Sequence, residues 1–367
     1  MKTVLVIGGY GNFGTHITRK LVAEPTIEVI IAGRSLEKAN ALAADLSSFT
    51  VQPRTAVIDI DDNLPAALQS LKPDIVIHTS GPFQGQGYFV AEACIEAGCH
   101  YIDLADGREF VAGIRALDAR AKAKGVTVIS GASSVPCLTS AIIDHYMPEF
   151  QKITAVDYGI TTAQRTNTGL ATTQAVLGYA GRVFKTLIKG KMTDIYGWQG
   201  TVLRRYPELG YRLLGFCDIP DLELFPARYP DLQSIRFRAG LEIPLIHLCL
   251  WFMSWLVRLG VLKTLKPLAA ALLKASRPFD LIGSSNSAFH MEMTGPDLNG
   301  TSKARTFYLL ARKGHGPYIP SIPSYLCAKL LANGSITRAG AMPCMGLLSL
   351  DQYLEGMSDL DIRIIKP

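Results

Sequence analysis

The stretch Val4-Leu5-Val6-Ile7-Gly8-Gly9-Tyr10-Gly11-Asn12-Phe13-Gly14 decides the fold. An apolar tetrad runs straight into G-x-G-x-x-G, and Thr15 to Ala23 follows with the character of a helix. That order, strand then glycine turn then helix, is the context a dinucleotide-binding fingerprint requires. Gly9 allows the tight turn, Gly11 lets the backbone approach a pyrophosphate, and Gly14 lets the helix pack against the strand. The free N–H groups and positive end of the helix then face the phosphates. Gly8, Gly9, Tyr10, Gly11, Asn12, Phe13 and Gly14 are therefore the first cofactor-binding candidates. An ordinary glycine-rich turn is the plainer alternative.

The next strand selects the cofactor. Val29-Ile30-Ile31-Ala32 reads as that strand, and Arg34 follows it, twenty positions after Gly14. A carboxylate near this point would bind the 2′-hydroxyl of NAD, but none occurs from Val29 to Leu36. Arg34 can pair with a 2′-phosphate instead. Ser35 can cap the following helix and offer a hydroxyl, and Lys38 lies one turn on. The expected cofactor is NADP(H), bound with Arg34, Ser35 and Lys38. A solvent-facing arginine is the competing reading.

The rhythm continues outward. Apolar runs at Val4–Ile7, Val29–Ala32, Thr55–Ile58, Ile75–Ile77, Tyr101–Leu104 and Val126–Ile129 alternate with helical stretches. Short runs without polar alternation suit parallel strands buried on both faces. This predicts an α/β fold: a doubly wound Rossmann sheet over 1–135, with its ligand at the carboxyl ends of the strands. The pattern changes at Ser133-Ser134-Val135-Pro136, which opens a helix through Tyr146. Lys152–Thr162 reads as a strand of another sheet. Ala288–Thr294 and Ala304–Ala311 flank Pro296-Asp297-Leu298-Asn299-Gly300 as an antiparallel pair. Residues 136–320 are thus expected to form an α+β domain with a mixed or antiparallel sheet, serving substrate binding and dimerisation. Residues 321–367 are expected to return to the first domain.

Composition narrows the function classes. With 367 residues, 48% hydrophobic and 19% charged, the chain has material for two cores. A net charge of +6 without a Lys/Arg-rich run argues against nucleic acid as a partner. Seven cysteines without C-x-x-C or metal spacing read as reduced, buried thiols, and no metal site is expected. Met1 leads directly into the first strand, which predicts no signal peptide and a cytoplasmic setting.

One segment stands apart. Ile243 to Leu262 carries only His247 and Arg258 as ionisable residues and meets the length criterion for a membrane span. His247, Trp251, Ser254 and Arg258 nevertheless fall along one helical stripe. Lys263, Lys266 and Lys274 follow in a second apolar helix that Pro267 starts or bends. Three readings compete over 243–275: a helical pair resting on a lipid surface, a buried core or dimer helix, and a span. The first would place the protein at the periphery of the inner membrane.

Taken together, these motifs resemble the saccharopine dehydrogenase (saccharopine reductase)-like oxidoreductases, in an uncharacterised bacterial branch. The resemblance rests on Gly8–Gly14 with Arg34, on Ser80-Gly81-Pro82-Phe83-Gln84-Gly85-Gln86-Gly87, and on Gly98 to Asp106. It extends to Gly131-Ala132-Ser133-Ser134-Val135-Pro136, Gly314 to Pro320 and Gly340-Ala341-Met342-Pro343. It implies an NADP-binding Rossmann domain, a mixed second domain, a homodimer, and reduction of a C=N bond. More distant relatives reduce lipid enoyl groups, and some associate with membranes or lipid droplets. The resemblance also makes Asp59 an adenine-edge contact, although Asp59 can equally cap a helix beginning near Asp61.

Hydride transfer needs the nicotinamide beside the substrate and, for an alcohol or saturated carbonyl product, a proton source. The loops after the fourth, fifth and sixth strands lie nearest the nicotinamide in this architecture. They supply Ser80, Gly81, Pro82, Phe83, Ala132 and Ser133 as cofactor contacts. Tyr101, Asp103, Asp106 and Arg108 are candidates for proton donation or carboxylate binding. Tyr101 and Asp103 share strand parity and hence one face. Asp103 can equally be a buried structural acid. His315, between two glycines, has a suitable intrinsic pKa, though a solvent-exposed histidine is the plainer reading. Arg305 is a candidate anion ligand or an ion-pair partner. Tyr325 and Lys329 match the Tyr-x-x-x-Lys spacing of short-chain dehydrogenases, but chance explains their late position better. The expected activity is NADPH-dependent reduction of a C=N, C=C or C=O bond in an apolar or lipid-like substrate. The alternatives are an amino-acid imine reductase and a non-catalytic NADP(H) sensor at a membrane surface.

Overall fold

Runs of Val, Ile and Leu too short to form helices become parallel strands in the computed structural model, which describes residues 1–166 and 169–366. In chain order they are β1 (Lys2–Ile7), β2 (Ile27–Gly33), β3 (Arg54–Val57), β4 (Ile75–His78), β5 (His100–Asp103) and β6 (Thr127–Ser130). A further strand, Gly340–Pro343, pairs with β6. The spatial order is Gly340–Pro343, β6, β5, β4, β1, β2, β3, with every pairing parallel. The order reverses between β1 and β4. A crevice opens at the carboxyl ends of strands where such a reversal occurs. Val4, Leu5, Val6, Ile30 and Ile31 are completely buried, which is why these strands read as unbroken apolar runs.

The helices α1 (Asn12–Val22), α2 (Leu36–Asp45), α3 (Leu64–Leu71) and α4 (Phe89–Ala97) cross between the strands. On α1 the buried residues are Gly14, Ile17, Thr18, Leu21 and Val22, a stripe at helical spacing. The chain forms two compact bodies. The first is Met1–Ala141 with Tyr318–Gly356, and the second is Ile142–Pro317 with the chain from Met357 on. The division falls inside the helix Thr139–Tyr146 rather than at residue 135. Residues 357 onward also depart from the expected grouping. Ile362–Ile365 pairs antiparallel with a strand of the second sheet, because its Ile residues continue that sheet's edge.

The second body carries β7 (Ala155–Thr162), β8 (Val183–Ile188), β9 (Lys191–Tyr196), β10 (Val202–Tyr206), β11 (Gly210–Phe216), β12 (Ser234–Leu241), β13 (Ser287–Pro296) and β14 (Ser302–Ala311). Its main sheet runs β10, β11, β12, β7, β13, β14 and Ile362–Ile365. Only β12 and β7 are parallel, so the sheet is mixed. Tyr158, Phe237, Phe289 and Phe307 share one face, and Tyr158 stacks on Phe225 of the helix Asp221–Arg228.

The apolar segment does not span a membrane as a helix. It folds as Pro244–Arg258, a short 3₁₀ turn at Lys266–Leu268, and Ala269–Ser276. Fifteen residues rise about 22 Å, short of a hydrocarbon core of about 30 Å. Among the described residues, no helix is long and apolar enough to cross a membrane. The polar stripe of Pro244–Arg258 faces inward. His247 and Ser254 are fully buried, and the His247 ring meets Trp198 edge-on at 5.5 Å. Arg258 lies over Tyr196 and donates to Gln199 Oε1 at 2.7 Å. The apolar side faces outward: Leu245 is 57% exposed, Phe252 58%, Leu259 69% and Val261 67%.

Candidate cofactor and active site

The glycine loop joins the end of β1 to the start of α1. Gly8 has φ +78°, where a side chain is strained, and a Cβ there would stand 2.5 Å from Thr79 Oγ1. Its N–H and that of Gly9 both donate to Ala32 O, tying the loop to the end of β2. Thr79 closes the other side by donating from Oγ1 to Ile7 O at 2.9 Å and to Gly8 O at 3.1 Å. A Cβ on Gly14 would overlap the Gly8 carbonyl and lie 2.8 Å from Gly9 Cα, so only glycine lets α1 seat this close. Gly11 is the N-cap of α1, and no side chain caps that end. The first-turn N–H groups therefore point out of the helix without an intrahelical acceptor.

Tyr10 leans from the loop across the end of β2. Its ring takes the space beside Gly33, where a Cβ would lie 2.5 Å from the hydroxyl. The Tyr10 hydroxyl accepts the Ser35 N–H at 2.8 Å. Ser35 in turn caps α2, its Oγ accepting the Lys38 N–H at 3.3 Å. Arg34 and Lys38 are exposed, and among the described residues no carboxylate pairs with Arg34. The loop, the uncapped helix end and this unpaired arginine are the parts that suit a phosphorylated dinucleotide.

At the ends of β4, β5 and β6 the structure brings together Ser80–Phe83, Tyr101, Asp103, Ala132 and Ser133. It also adds His78, which the sequence reading passed over. His78 stands opposite Asp103 in the β4–β5 register, and Val76 opposite Tyr101, so all four share one face. The Tyr101 hydroxyl lies 3.1 Å from His78 Nδ1. Burial holds His78 down at about 4, offset in part by the backbone at Ser80, so the imidazole is neutral. Its ring meets Phe83 edge-on at 5.1 Å and seats the Ser80–Phe83 loop. The signal for His78 was its position, one polar residue ending an otherwise apolar strand.

Asp103 is completely buried. Its Oδ1 accepts three hydrogen bonds: from Ala105 N at 2.9 Å, Gly131 N at 2.8 Å and Ser130 Oγ at 3.0 Å. Gly131 has φ +73°, and a Cβ there would lie 2.9 Å from Pro136 and Val111. The carboxylate thus holds the turns that end β5 and β6. Burial raises its pKa to about 6, and the three donors oppose that rise. Tyr101 is also completely buried, with its pKa pushed well up by burial and then by Asp103. Neither group reaches the surface where a substrate would sit. Ala132 donates its N–H to Asp103 O, and its carbonyl accepts from Ser324 Oγ at 2.8 Å.

The remaining candidates are placed elsewhere. Asp59 Oδ1 accepts the Asp61 N–H at 3.2 Å within a turn, and α3 starts later, at Leu64. His315 belongs to the second body, half-buried, where its Nδ1 accepts the Asp361 N–H at 2.7 Å and docks the end of the chain. Arg305 pairs with Glu149 at 2.6 Å rather than with a cross-strand neighbour. Tyr325 and Lys329 both engage Glu24, so their spacing serves a contact between their helix and the turn that follows α1.

Residues 4–129 match the family model described as saccharopine dehydrogenase NADP binding domain. A saccharopine dehydrogenase-like oxidoreductase of Rattus norvegicus is 29% identical over 149 residues, 36% of this chain and 35% of that protein. A carboxyaminopropylagmatine dehydrogenase of Synechocystis is 30% identical over 110 residues, 29% of this chain and 26% of that protein. The chain thus aligns with about a third or less of the length of these relatives. Apo saccharopine dehydrogenase (L-Glu forming) from Saccharomyces cerevisiae matches across 100% of both chains, with a TM-score of 0.71 at 15% identity. That likeness extends the shared fold to the second body.

Proposed function

We propose, on the match of residues 4–129 to the saccharopine dehydrogenase NADP binding domain model, that the chain is an NADPH-dependent reductase. The observation that carries the reading is the uncapped amino end of α1 over the Gly8–Gly14 loop, with Arg34, which pairs with no carboxylate among the described residues, at the end of β2. In this reading the first-turn N–H groups bind the pyrophosphate, Arg34 and Lys38 bind the 2′-phosphate, and Ser80–Phe83 with Ala132 and Ser133 border the nicotinamide. Bound NADPH supplies a hydride. Asp103, Tyr101 and His78 act as positioning residues that fix the loops around the ring. They donate no proton, because all three are buried.

We further infer an apolar substrate and a membrane-surface setting. The support is the outward apolar face of Pro244–Arg258. From Pro244 to Phe279 the chain carries Arg258, Lys263, Lys266, Lys274 and Arg277 and no carboxylate. An apolar face with a cationic border suits an interface of anionic lipid. The alignments with the named relatives cover about a third of this chain or less, so their names do not favour an amino-acid substrate over this one.

The test is NADPH oxidation across matched panels: imines formed from aldehydes and amines, including glutamate, then enoyl compounds, then ketones, each with short polar and long apolar members. Turnover that rises with apolar chain length supports the proposal. Turnover confined to glutamate plus an aldehyde replaces it with an amino-acid imine reductase. Tight NADPH binding without oxidation in any panel replaces it with a non-catalytic sensor.

A further inference from the structure

Within the second body, the β10–β11 hairpin curls over the face of the sheet opposite the aromatic layer. Tyr206 and Leu214 of the hairpin join Ala288 and Leu310 in an apolar cluster. The Tyr206 hydroxyl meets His290 Nδ1 at 2.7 Å. Arg204 reaches across to Glu292 at 3.1 Å and lies over the Tyr308 ring. The fold-over leaves a cavity of about 220 Å³ between hairpin and sheet. Val202 and Leu214 supply apolar wall, and Asp157, Arg204, Arg238 and His290 supply the polar lining.

The lining is rich in donors and short of acceptors. Arg238 is only 8% exposed, although a guanidinium in the middle of a sheet is costly to desolvate. Its Nη1 reaches both oxygens of Asp157, at 2.8 and 2.9 Å. Its Nε is buried without a hydrogen-bond partner, and an arginine nitrogen can only donate. His290 is 1% exposed, and burial together with Arg204 and Arg238 keeps it uncharged. A buried donor left without a partner keeps its full desolvation penalty, so such sites commonly receive an acceptor. The two guanidinium groups are matched by Glu292 and Asp157, so the feature left unmet is the Arg238 Nε–H donor. The planar fork of arginine favours a carboxylate.

We propose that this cavity binds the carboxylate of a small organic acid of two to four carbons, with Arg238 and Arg204 as its donors. Saturable 1:1 binding of acetate or propionate to the full chain, read by calorimetry against sodium chloride at equal ionic strength, is the expected result. The His290 Cε1–H resonance, assigned by its loss in His290→Gln, should shift along the same isotherm. Arg204→Gln and Arg238→Lys should each weaken binding at least tenfold and leave NADPH affinity unchanged. Arg204 is partly exposed, so Arg204→Gln serves even if Arg238→Lys fails to fold. The absence of saturable carboxylate binding overturns the proposal. So does binding undiminished in Arg204→Gln, or inorganic phosphate binding as tightly as acetate.

Discussion

Gly14 lays its bare Cα against the backbone of Gly8, so that the first turn of α1 and the end of β1 form one tightly closed unit. Adding a single methyl at Gly14 would overlap the Gly8 carbonyl and crowd Gly9 Cα at 2.8 Å. These are backbone atoms and cannot swing aside as a flexible side chain can. Gly14→Ala should therefore cost about 1–3 kcal/mol of stability, the usual range for overpacking. It should also weaken NADPH binding at least tenfold by lifting the helix end off its seat. Thermal melts and fluorescence titration of NADPH check both effects. Unchanged affinity would detach the loop from the cofactor.

The buried carboxyl of Asp103 gives a pH signature. Its folded pKa of about 6 lies above the ordinary 3.8, so between these values the folded chain holds a proton that the unfolded chain releases. The contribution to stability is complete below pH 4, falls as pH rises to 6, and stays reduced above that, by about 3 kcal/mol at most. All three strong donors use Oδ1, which asparagine retains. Asp103→Asn should therefore fold, bind NADPH, and be more stable relative to wild type at pH 7 than at pH 4. His78, held down at about 4, titrates with the opposite sign, since only the unfolded chain takes up its proton between 6.5 and 4. For that reason the difference between the Asn variant and wild type, measured by urea unfolding across pH 4–7, isolates Asp103. A pH-independent difference would mean that the carboxyl is not perturbed.

The outward face of Pro244–Arg258 makes a separate prediction. Leu248→Glu with Phe252→Glu changes exposed positions only, so folding should be unaffected. Co-sedimentation of the wild type with vesicles containing phosphatidylglycerol should fall at least tenfold in this variant and weaken as salt rises. Light scattering covers the other occupant: a wild-type dimer that dissociates in the variant would make this face a subunit interface. A wild type that stays in the supernatant would end the membrane reading.

The parallel sheet was legible because strands buried on both faces leave an unambiguous apolar run, as Val29–Ala32 does. Arg34 was legible because the strand end fixes its place. The second body was less so. β8 to β11 alternate weakly, with Val183, Met192, Leu203 and Tyr211 exposed, and they carry no turn signal strong enough to define hairpins. The stripe His247–Ser254 was visible as a stripe, but not which way it faced, because a polar line on an apolar helix is ordinarily the solvent side. Asp103 was visible as a candidate, but its role depends on Ser130 and Gly131, 27 and 28 residues away. His78 gained meaning only from its cross-strand register.

The most direct test of the central claim is the affinity of the chain for NADPH and NADH, measured side by side in wild type and Arg34→Glu. Among the described residues no carboxylate pairs with Arg34, and in the proposed reading Arg34 binds the 2′-phosphate. The wild type should prefer NADPH, and Arg34→Glu should lower that preference more than tenfold while leaving NADH binding nearly intact. The same NADPH-to-NADH ratio in both proteins would contradict the account.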